Sequence, residues 1–214
     1  MTTTVTIRDA TTADIDVIAE LITQSFRPLS ATVYLAPDPD TRDAIMRPYF
    51  RLFAEHAVES ATGTAQVVQS DARVVGAALW SAPNDPDPDR YQQRLAAIAG
   101  DALDRFHRFD ALMHHPAPDG PHHYLAFLAV APGMQGRGIG STLLSHHHRA
   151  IDSDAEAKGA HLVASNADSA RLYARHGYAH TAQVVLPNNG RMYAMVRPRR
   201  PHQPGAGFNQ SLPG

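Results

Sequence analysis

Cysteine is absent from the 214-residue chain, which excludes disulfides, thiolate metal sites and cysteine nucleophiles and suits a reducing cytoplasm. Net charge is also small, since 19 Lys and Arg residues accompany 21 Asp and Glu residues, so the chain lacks the basic field that nucleic-acid binding requires. No run approaches the roughly 20 apolar residues of a membrane-spanning helix. The N-terminal residues lack the cationic start and apolar run of a signal peptide. These absences predict a cytoplasmic protein that binds neither nucleic acid nor membrane.

Apolar residues recur along the chain in two spacings, one typical of strands and one typical of helices. The spacing predicts strands near residues 4–8, 65–69, 74–80, 124–130, 161–165, 182–186 and 191–196. It predicts helices near residues 12–26, 41–56, 90–113, 139–158 and 169–175, with irregular segments at 27–40 and 81–89. This order favours one α/β domain over residues 1–197, in which helices flank a mixed sheet. The Pro- and Gly-rich residues 198–214 are expected to form a disordered tail.

The segment VAPGMQGRGIGSTLL, residues 130–144, joins an apolar strand to a helix through alternate glycines. Gly136, Gly138 and Gly140 have no Cβ, so the loop can turn its backbone N–H groups toward a ligand. The first helical turn adds unpaired amides and the positive end of the helix dipole, and Arg137 adds a cation. The segment therefore predicts an anion site, for which phosphate is the usual ligand. A glycine-rich turn without a ligand is the alternative.

Two common phosphate loops do not fit this spacing. A Walker loop requires a lysine after its last glycine, and a dinucleotide fingerprint requires G-x-G-x-x-G, whereas these glycines follow G-x-G-x-G. The register [Gln/Arg]-x-x-Gly-x-[Gly/Ala] does fit, through Gln135, Gly138 and Gly140. In this segment, and in TIRDATTADIDVIAELITQSF and NADSARLYARHGY, the chain resembles the GCN5-related N-acetyltransferases (GNAT). Trp80 followed by SAP is similar to the puromycin N-acetyltransferase-like branch of that family.

The resemblance implies a GNAT fold, which is a mixed central sheet flanked by helices with its fourth and fifth strands splayed apart. It also implies that acetyl-CoA is the acyl donor, without a metal, and that three segments of the chain hold it: Leu128, Ala129, Val130, Gln135, Gly136, Arg137, Gly138, Ile139, Gly140, Ser141, Asn166 and Tyr173. Within this set, the Leu128 backbone would polarise the thioester carbonyl, and Tyr173 would act as general acid toward the departing thiolate. Asn166 has helix capping as a second interpretation, and Tyr173 has burial in the core.

The general base does not follow from the resemblance. Tyr124 and Val163 occupy the positions at which members of the family carry a glutamate, and neither side chain accepts a proton at pH 7. The candidates that remain are His123, His122 and a chain of water molecules. The surface that binds the acceptor is expected to include five aromatic side chains: Phe26, Tyr34, Trp80, Tyr124 and Phe127.

Thirteen histidines raise the question of a metal site. His146, His147 and His148 are consecutive on a predicted helix, so they point in different directions and cannot hold one ion. The pairs His114-His115 and His122-His123 lie in predicted loops without a partner at a metal-ligand spacing. A zinc site is therefore disfavoured, and these histidines are expected to face solvent.

The sequence thus predicts an N-acetyltransferase, monomeric or homodimeric, in which a primary amine of a small molecule attacks acetyl-CoA directly. The branch resemblance suggests an antibiotic or another secondary metabolite as acceptor, and a protein amine is the alternative. A non-catalytic acyl-CoA sensor is the rival from another class, because no carboxylate base is found. A nicotinamide-dependent oxidoreductase is disfavoured by the register of the glycines.

Overall fold

A seven-stranded sheet organises the computed structural model, which describes residues 5–114 and 117–200. The strands are β1 (Val5–Asp9), β2 (Gly63–Ser70), β3 (Arg73–Ser81), β4 (His122–Val130), β5 (Gly159–Ala164), β6 (Ala179–Val185) and β7 (Arg191–Pro198). They lie in the order β1-β2-β3-β4-β5-β7-β6. β4 and β5 are parallel, and the other neighbouring strands are antiparallel. The predicted mixed sheet is confirmed.

Helices cover both faces of this sheet. They are α1 (Ile15–Phe26), α2 (Ser30–Leu35), α3 (Arg42–Glu59), α4 (Tyr91–Ala99), α5 (Leu103–His114), α6 (Ile139–Ser153) and α7 (Ala167–Arg175). Two of them differ from the prediction. α2 lies in a segment expected to be irregular, because six residues are too few for apolar periodicity to appear. The helix expected over residues 90–113 is divided into α4 and α5 at Gly100, whose φ of +49° interrupts the helical backbone.

Two apolar cores lie on opposite faces of the sheet. One is formed by α1, α3, α4 and α5 against the sheet, and the other by α6 and α7. The central strands contribute alternate residues to each core, as β3 shows: Leu79 faces α1 and α3, whereas Trp80 faces α6. The side chains of β4 therefore divide between the two faces of the sheet. Predicted site residues can contact one another only if their side chains lie on the same face.

The last strand along the chain lies just before the end of the described residues. β7 ends at Pro198, and residues 201–214 of the predicted tail lie outside the described residues. Among the described residues, no helix is both long and apolar enough to cross a membrane.

Candidate active site

The loop between β4 and α6 has the backbone that the glycine pattern predicts. Gly136 and Gly138 have φ values of +74° and +80°, a conformation that side chains with a Cβ rarely adopt. A Cβ placed on either residue would meet nothing within 4 Å, so no packing contact in the protein requires a glycine there. The loop therefore presents bare backbone on an open surface, which is the shape that an anion-binding loop needs.

The beginning of α6 leaves amides available at this loop. The first backbone hydrogen bond of the helix runs from Thr142 N to Gly138 O at 2.9 Å. The N–H groups of Ile139, Gly140 and Ser141 precede that bond and have no partner within the helix. The Gln135 side chain points toward the end of β4, where its Nε2 donates to Val130 O at 3.3 Å. Amides without a partner in the helix and the positive end of the dipole of this 15-residue helix thus lie side by side at the loop.

β4 and β5 separate beside this loop. They pair from His122 opposite Gly159 to Leu125 opposite Leu162, and β4 then continues to Val130 without β5 as a partner. On its other side β4 stays paired with β3 up to Val130, but Ala126 is an extra residue in that register, because Leu79 lies opposite Phe127 and Trp80 opposite Leu125. This β-bulge lies where the pairing with β5 ends, so a notch opens between the strands from Ala126 onward.

Two of the three residues expected in this notch direct their amides into it. Ala131 N donates to Val75 O at 2.9 Å, so residue 131 faces β3. Since the backbone groups of successive strand residues point to opposite sides, Ala129 also faces β3, and Leu128 and Val130 face the notch. The Leu128 amide is thereby available to a carbonyl lying between the strands.

Tyr173 belongs to α7, which adjoins the notch, and Asn166 immediately precedes that helix. Asn166 caps the helix, since its Oδ1 accepts from Ser169 N at 2.9 Å, and the capping interpretation is confirmed. Burial raises the pKa of the Tyr173 phenol above its usual range, so the hydroxyl keeps its proton at neutral pH. A Cβ on Gly140 would lie 3.5 Å from Leu172 and 3.6 Å from Leu128, which shows that the loop, the notch and α7 adjoin one another.

An aromatic cluster lies on the opposite face of β4, beneath α1 and α3. The Phe127 ring is 5.9 Å from Phe26, 5.4 Å from Phe50 and 5.3 Å from Phe53, measured between centroids. Tyr34 packs against the same core. Tyr124 lies on this face too, and burial raises the pKa of its phenol to about 12. Four of the five aromatic residues expected around the acceptor thus lie on the same side of the sheet, and Phe26 and Phe127 are in contact.

Trp80 and His123 lie on the other face, which corrects two expectations. Trp80 is 1% exposed and stacks on His147 beneath α6, with ring centroids 4.3 Å apart. His123 points the same way because it precedes Tyr124 on the strand, and its Nε2 lies 2.9 Å from Asp154 Oδ2. His123 is therefore separated by the sheet from the aromatic cluster that includes Phe127.

The expectation that the histidines of α6 face solvent is wrong for two of them. His147 and His148 are 4% and 6% exposed and belong to the interior beneath the helix. Burial lowers the pKa of each imidazole to about 3, so both are neutral at pH 7. Across residues 5–114 and 117–200, no group of three His, Asp or Glu side chains is arranged to hold a metal ion.

Asp110 is a candidate that the sequence reasoning missed. It lies on the inner side of α5 and accepts a hydrogen bond from the Tyr91 hydroxyl at 2.8 Å. Burial raises the pKa of this carboxyl group. A sequence signal was present, because Asp110 follows the buried Phe106 by one helical turn and so shares its face.

Comparison with known proteins agrees with this geometry. A model of the acetyltransferase (GNAT) domain matches residues 67–180. The chain is similar to a Corynebacterium glutamicum protein described as histone acetyltransferase HPA2 and related acetyltransferase, at 30% identity and a TM-score of 0.68, over 95% of this chain and 99% of that one.

Two more distant structures share the fold. The ribosomal-protein-S18-alanine N-acetyltransferase of Escherichia coli is 14% identical, with a TM-score of 0.54 over 96% of this chain and 100% of that one. Arabidopsis thaliana NAA60, solved in complex with acetyl-CoA, is also 14% identical, with a TM-score of 0.56 over 90% of this chain and 97% of that one.

Proposed function

The chain belongs to the GNAT acetyltransferase family, and from this premise we propose that it transfers an acetyl group from acetyl-CoA to the primary amine of a small molecule by direct attack. The observation that carries the proposal is that three features belong to segments that adjoin one another around Gly140. These are the open amides at the start of α6, the notch between β4 and β5, and the Tyr173 phenol.

The donor site fits a diphosphate attached to a long, narrow arm. The amides of Ile139, Gly140 and Ser141, with the dipole of α6, would receive the diphosphate. Arg137 lines a surface cavity of about 270 Å³ beside the loop and supplies a guanidinium for the same anion. The notch exposes strand amides to which the amide groups of a pantetheine arm could bond.

Once acetyl-CoA is held in this way, the transfer reaction requires few further groups from the protein. Acetyl-CoA supplies an acetyl thioester that is already activated toward amines. The Leu128 N–H points into the notch and would stabilise the negative charge that develops on the thioester oxygen during attack. The protonated Tyr173 phenol would donate to the sulfur as it leaves.

The covering of the acceptor side supports a small amine. Asn188 Nδ2, in the β6–β7 hairpin, donates to Ser30 O at the start of α2, with a distance of 2.8 Å. Leu186 and Met192 of the same hairpin pack with Phe109 of α5. These contacts cover part of the side of the sheet on which the aromatic cluster lies, which favours a small amine over a folded protein. Antibiotic amines, as in the puromycin N-acetyltransferase-like branch, are one group within this class.

A protein lysine is the second candidate acceptor. It is favoured by the Corynebacterium glutamicum relative, whose description includes histone acetyltransferase. A screen that follows thiol release from acetyl-CoA with small amines, a lysine peptide and a histone separates the two. Faster turnover of the histone than of every small amine would favour the second candidate.

The donor site is tested by Gly138→Glu. The side chain would enter the open space above the loop and place a carboxylate where the diphosphate is proposed to lie. We expect CoA to bind about 100-fold more weakly by calorimetry, because losing two charge-assisted hydrogen bonds costs about 3 kcal/mol. Gly100→Glu is the matched control, since Gly100 also has a positive φ and open surroundings but lies between α4 and α5. Equal CoA affinity in both variants and the wild type would refute the site.

A further inference from the structure

Asp110 differs in its partners from the other carboxylates that are at least partly buried. Six others are at least partly buried, and each has an Arg or His nitrogen within 4.0 Å: Asp14, Glu20, Glu55, Asp85, Asp152 and Asp154. Among residues 5–114 and 117–200, Asp110 has no such cation at that distance, and its side chain accepts only from the Tyr91 hydroxyl. A partly buried carboxylate gains free energy from a positively charged partner, because burying an unpaired charge is costly.

The surroundings of Asp110 are aromatic and lead toward β4. Tyr91, its hydrogen-bond donor, lies 5.9 Å from Phe53 between ring centroids, and Phe53 lies 5.3 Å from Phe127. Phe127 is the first residue after the bulge at which the notch opens. Adjoining aromatic rings therefore connect Asp110 with Phe127, and the faces of such rings attract cations as well as apolar groups.

Asp110 is also electrically linked to the tyrosines near the notch. Burial is the main cause of the raised pKa of the Tyr124 phenol, and the negative charge of Asp110 adds to it; burial and then Tyr124 raise the pKa of Tyr173 in the same way. Asp110 of α5, Tyr124 of β4 and Tyr173 of α7 thus form a series in which each group is near enough to act electrostatically on the next. A proton acceptor stands at one end of this series and a proton donor at the other.

We propose that Asp110 receives the ammonium group of the acceptor and takes its proton, and that the acceptor is a cationic primary amine with an apolar or aromatic body. The inference rests on the proposed function, and it adds the catalytic base and the class of acceptor. The ring cluster around Phe53 and Phe127 holds the body of the amine, and the carboxylate selects a cation over a neutral alcohol of the same shape.

The proton balance follows. The ammonium N–H bond breaks and the proton moves to the Asp110 carboxylate, which leaves a neutral amine with a free electron pair. That pair forms the C–N bond as the C–S bond breaks. The sulfur receives a proton from Tyr173, and the nitrogen loses its second proton to restore the phenol. Asp110 then releases its proton to solvent, so the net products are the amide, free thiol and one proton.

The protonation of Asp110 depends on every charged or titratable group around it. Tyr91 of α4, Tyr49 of α3 and Tyr124 of β4 face it, together with His107 and His114 on its own helix and Asp87 in the preceding connection. Burial and Asp87 raise the pKa of Asp110, whereas Tyr91 and the two histidines lower it. Activity should fall on the acidic side as Asp110 gains its proton.

The test compares Asp110→Asn with the wild type, using 2-phenylethylamine, tyramine, spermidine and a lysine peptide as probes. Asparagine can still accept from Tyr91, so the fold is expected to persist, which thermal unfolding checks. At pH 7 the variant should lose about 100-fold or more in kcat/KM for the aromatic amines. The loss should shrink as pH rises toward the amine pKa of about 10, because neutral amine no longer needs a base. Asp110→Glu should restore part of the activity.

Asp104→Asn is the matched control, because Asp104 lies exposed on the same helix. A loss in Asp110→Asn that stays constant with pH would indicate a structural role and overturn the proposal, as would activity within twofold of the wild type. Turnover of the lysine peptide or spermidine without either aromatic amine would overturn the acceptor class. If none of the four probes is acetylated, the acceptor class again fails. CoA affinity, measured separately, reports whether the donor site fails as well.

Discussion

The two buried histidines of α6 predict that the protein loses stability in mild acid. His147 and His148 have a folded-state pKa of about 3, whereas the unfolded chain has the ordinary value of about 6.5. The folded state thus favours the neutral rings. Their contribution to stability is complete above pH 6.5 and is lost as pH falls toward 3, because only the unfolded chain gains protons in that interval.

The size of the loss follows from proton linkage. Each histidine that titrates only in the unfolded chain changes the free energy of unfolding by about 1.4 kcal/mol per pH unit. Two such residues would lower it by about 3 kcal/mol between pH 6.5 and 5, and partial solvent access at His148 reduces this to about 2–3 kcal/mol. Asp14, Asp152 and Asp154 also have lowered pKa values, but they act mainly below pH 4.

Urea unfolding followed by circular dichroism at pH 7.5, 6.5, 5.5 and 4.5 measures this slope. His147→Phe keeps a ring against Trp80 but cannot titrate, so it should remove about a third of the slope, because burial also lowers the pKa of His161 to about 4. His146→Gln is the control, since His146 precedes it on the helix and is partly exposed. A free energy of unfolding that stays level from pH 7.5 to 5 would refute the reasoning, as would a wild-type slope in His147→Phe.

Two further substitutions test the acid and a structural ion pair. Tyr173→Phe should lower kcat by about 10- to 100-fold with CoA affinity unchanged, because it removes the proton donor. An unchanged kcat would show that Tyr173 is not the general acid. Arg197→Met should lower the free energy of unfolding by about 2–3 kcal/mol, since it removes the bidentate partner of Asp152, bonded at 2.8 and 2.7 Å. Arg171→Met is the control, because its exposed pair with Asp168 contributes less than about 0.5 kcal/mol, and equal effects in urea unfolding would contradict the difference.

The local structure on the donor side of the proposed site could be predicted because its signals are local. The strand, the glycines and the start of α6 are consecutive in the chain, and glycine is the residue that most readily adopts the positive φ values of Gly136 and Gly138. The cap at Asn166 is equally local. The predicted order of strands and helices is confirmed except at two places. At α2 the helix is too short to show a periodic pattern, and at Gly100 the pattern does not show that the helix is interrupted.

The acceptor side could not be predicted in the same way, because its residues come from distant parts of the chain. Asp110 and Tyr91 meet only after α5 packs beside α4, and Phe53 arrives from α3. The predicted exposure of the histidines of α6 is wrong for a simpler reason. Three consecutive helical residues span about 200° of the helix surface, so a helix lying on a sheet must direct some of them inward. His147 and His148 are those residues.

One inserted residue connects the two sides of the site. In a regular strand Phe127 would share a face with His123 and Leu125, because side chains alternate. Leu125 lies in the core beneath α6, yet Phe127 and Ala129 lie in the core beneath α1 and α3. The bulge at Ala126 causes this exchange, and it lies where β4 leaves β5. The same extra residue therefore opens the notch proposed for the thioester and turns the Phe127 ring toward the aromatic cluster proposed for the acceptor, so donor and acceptor meet across a single strand.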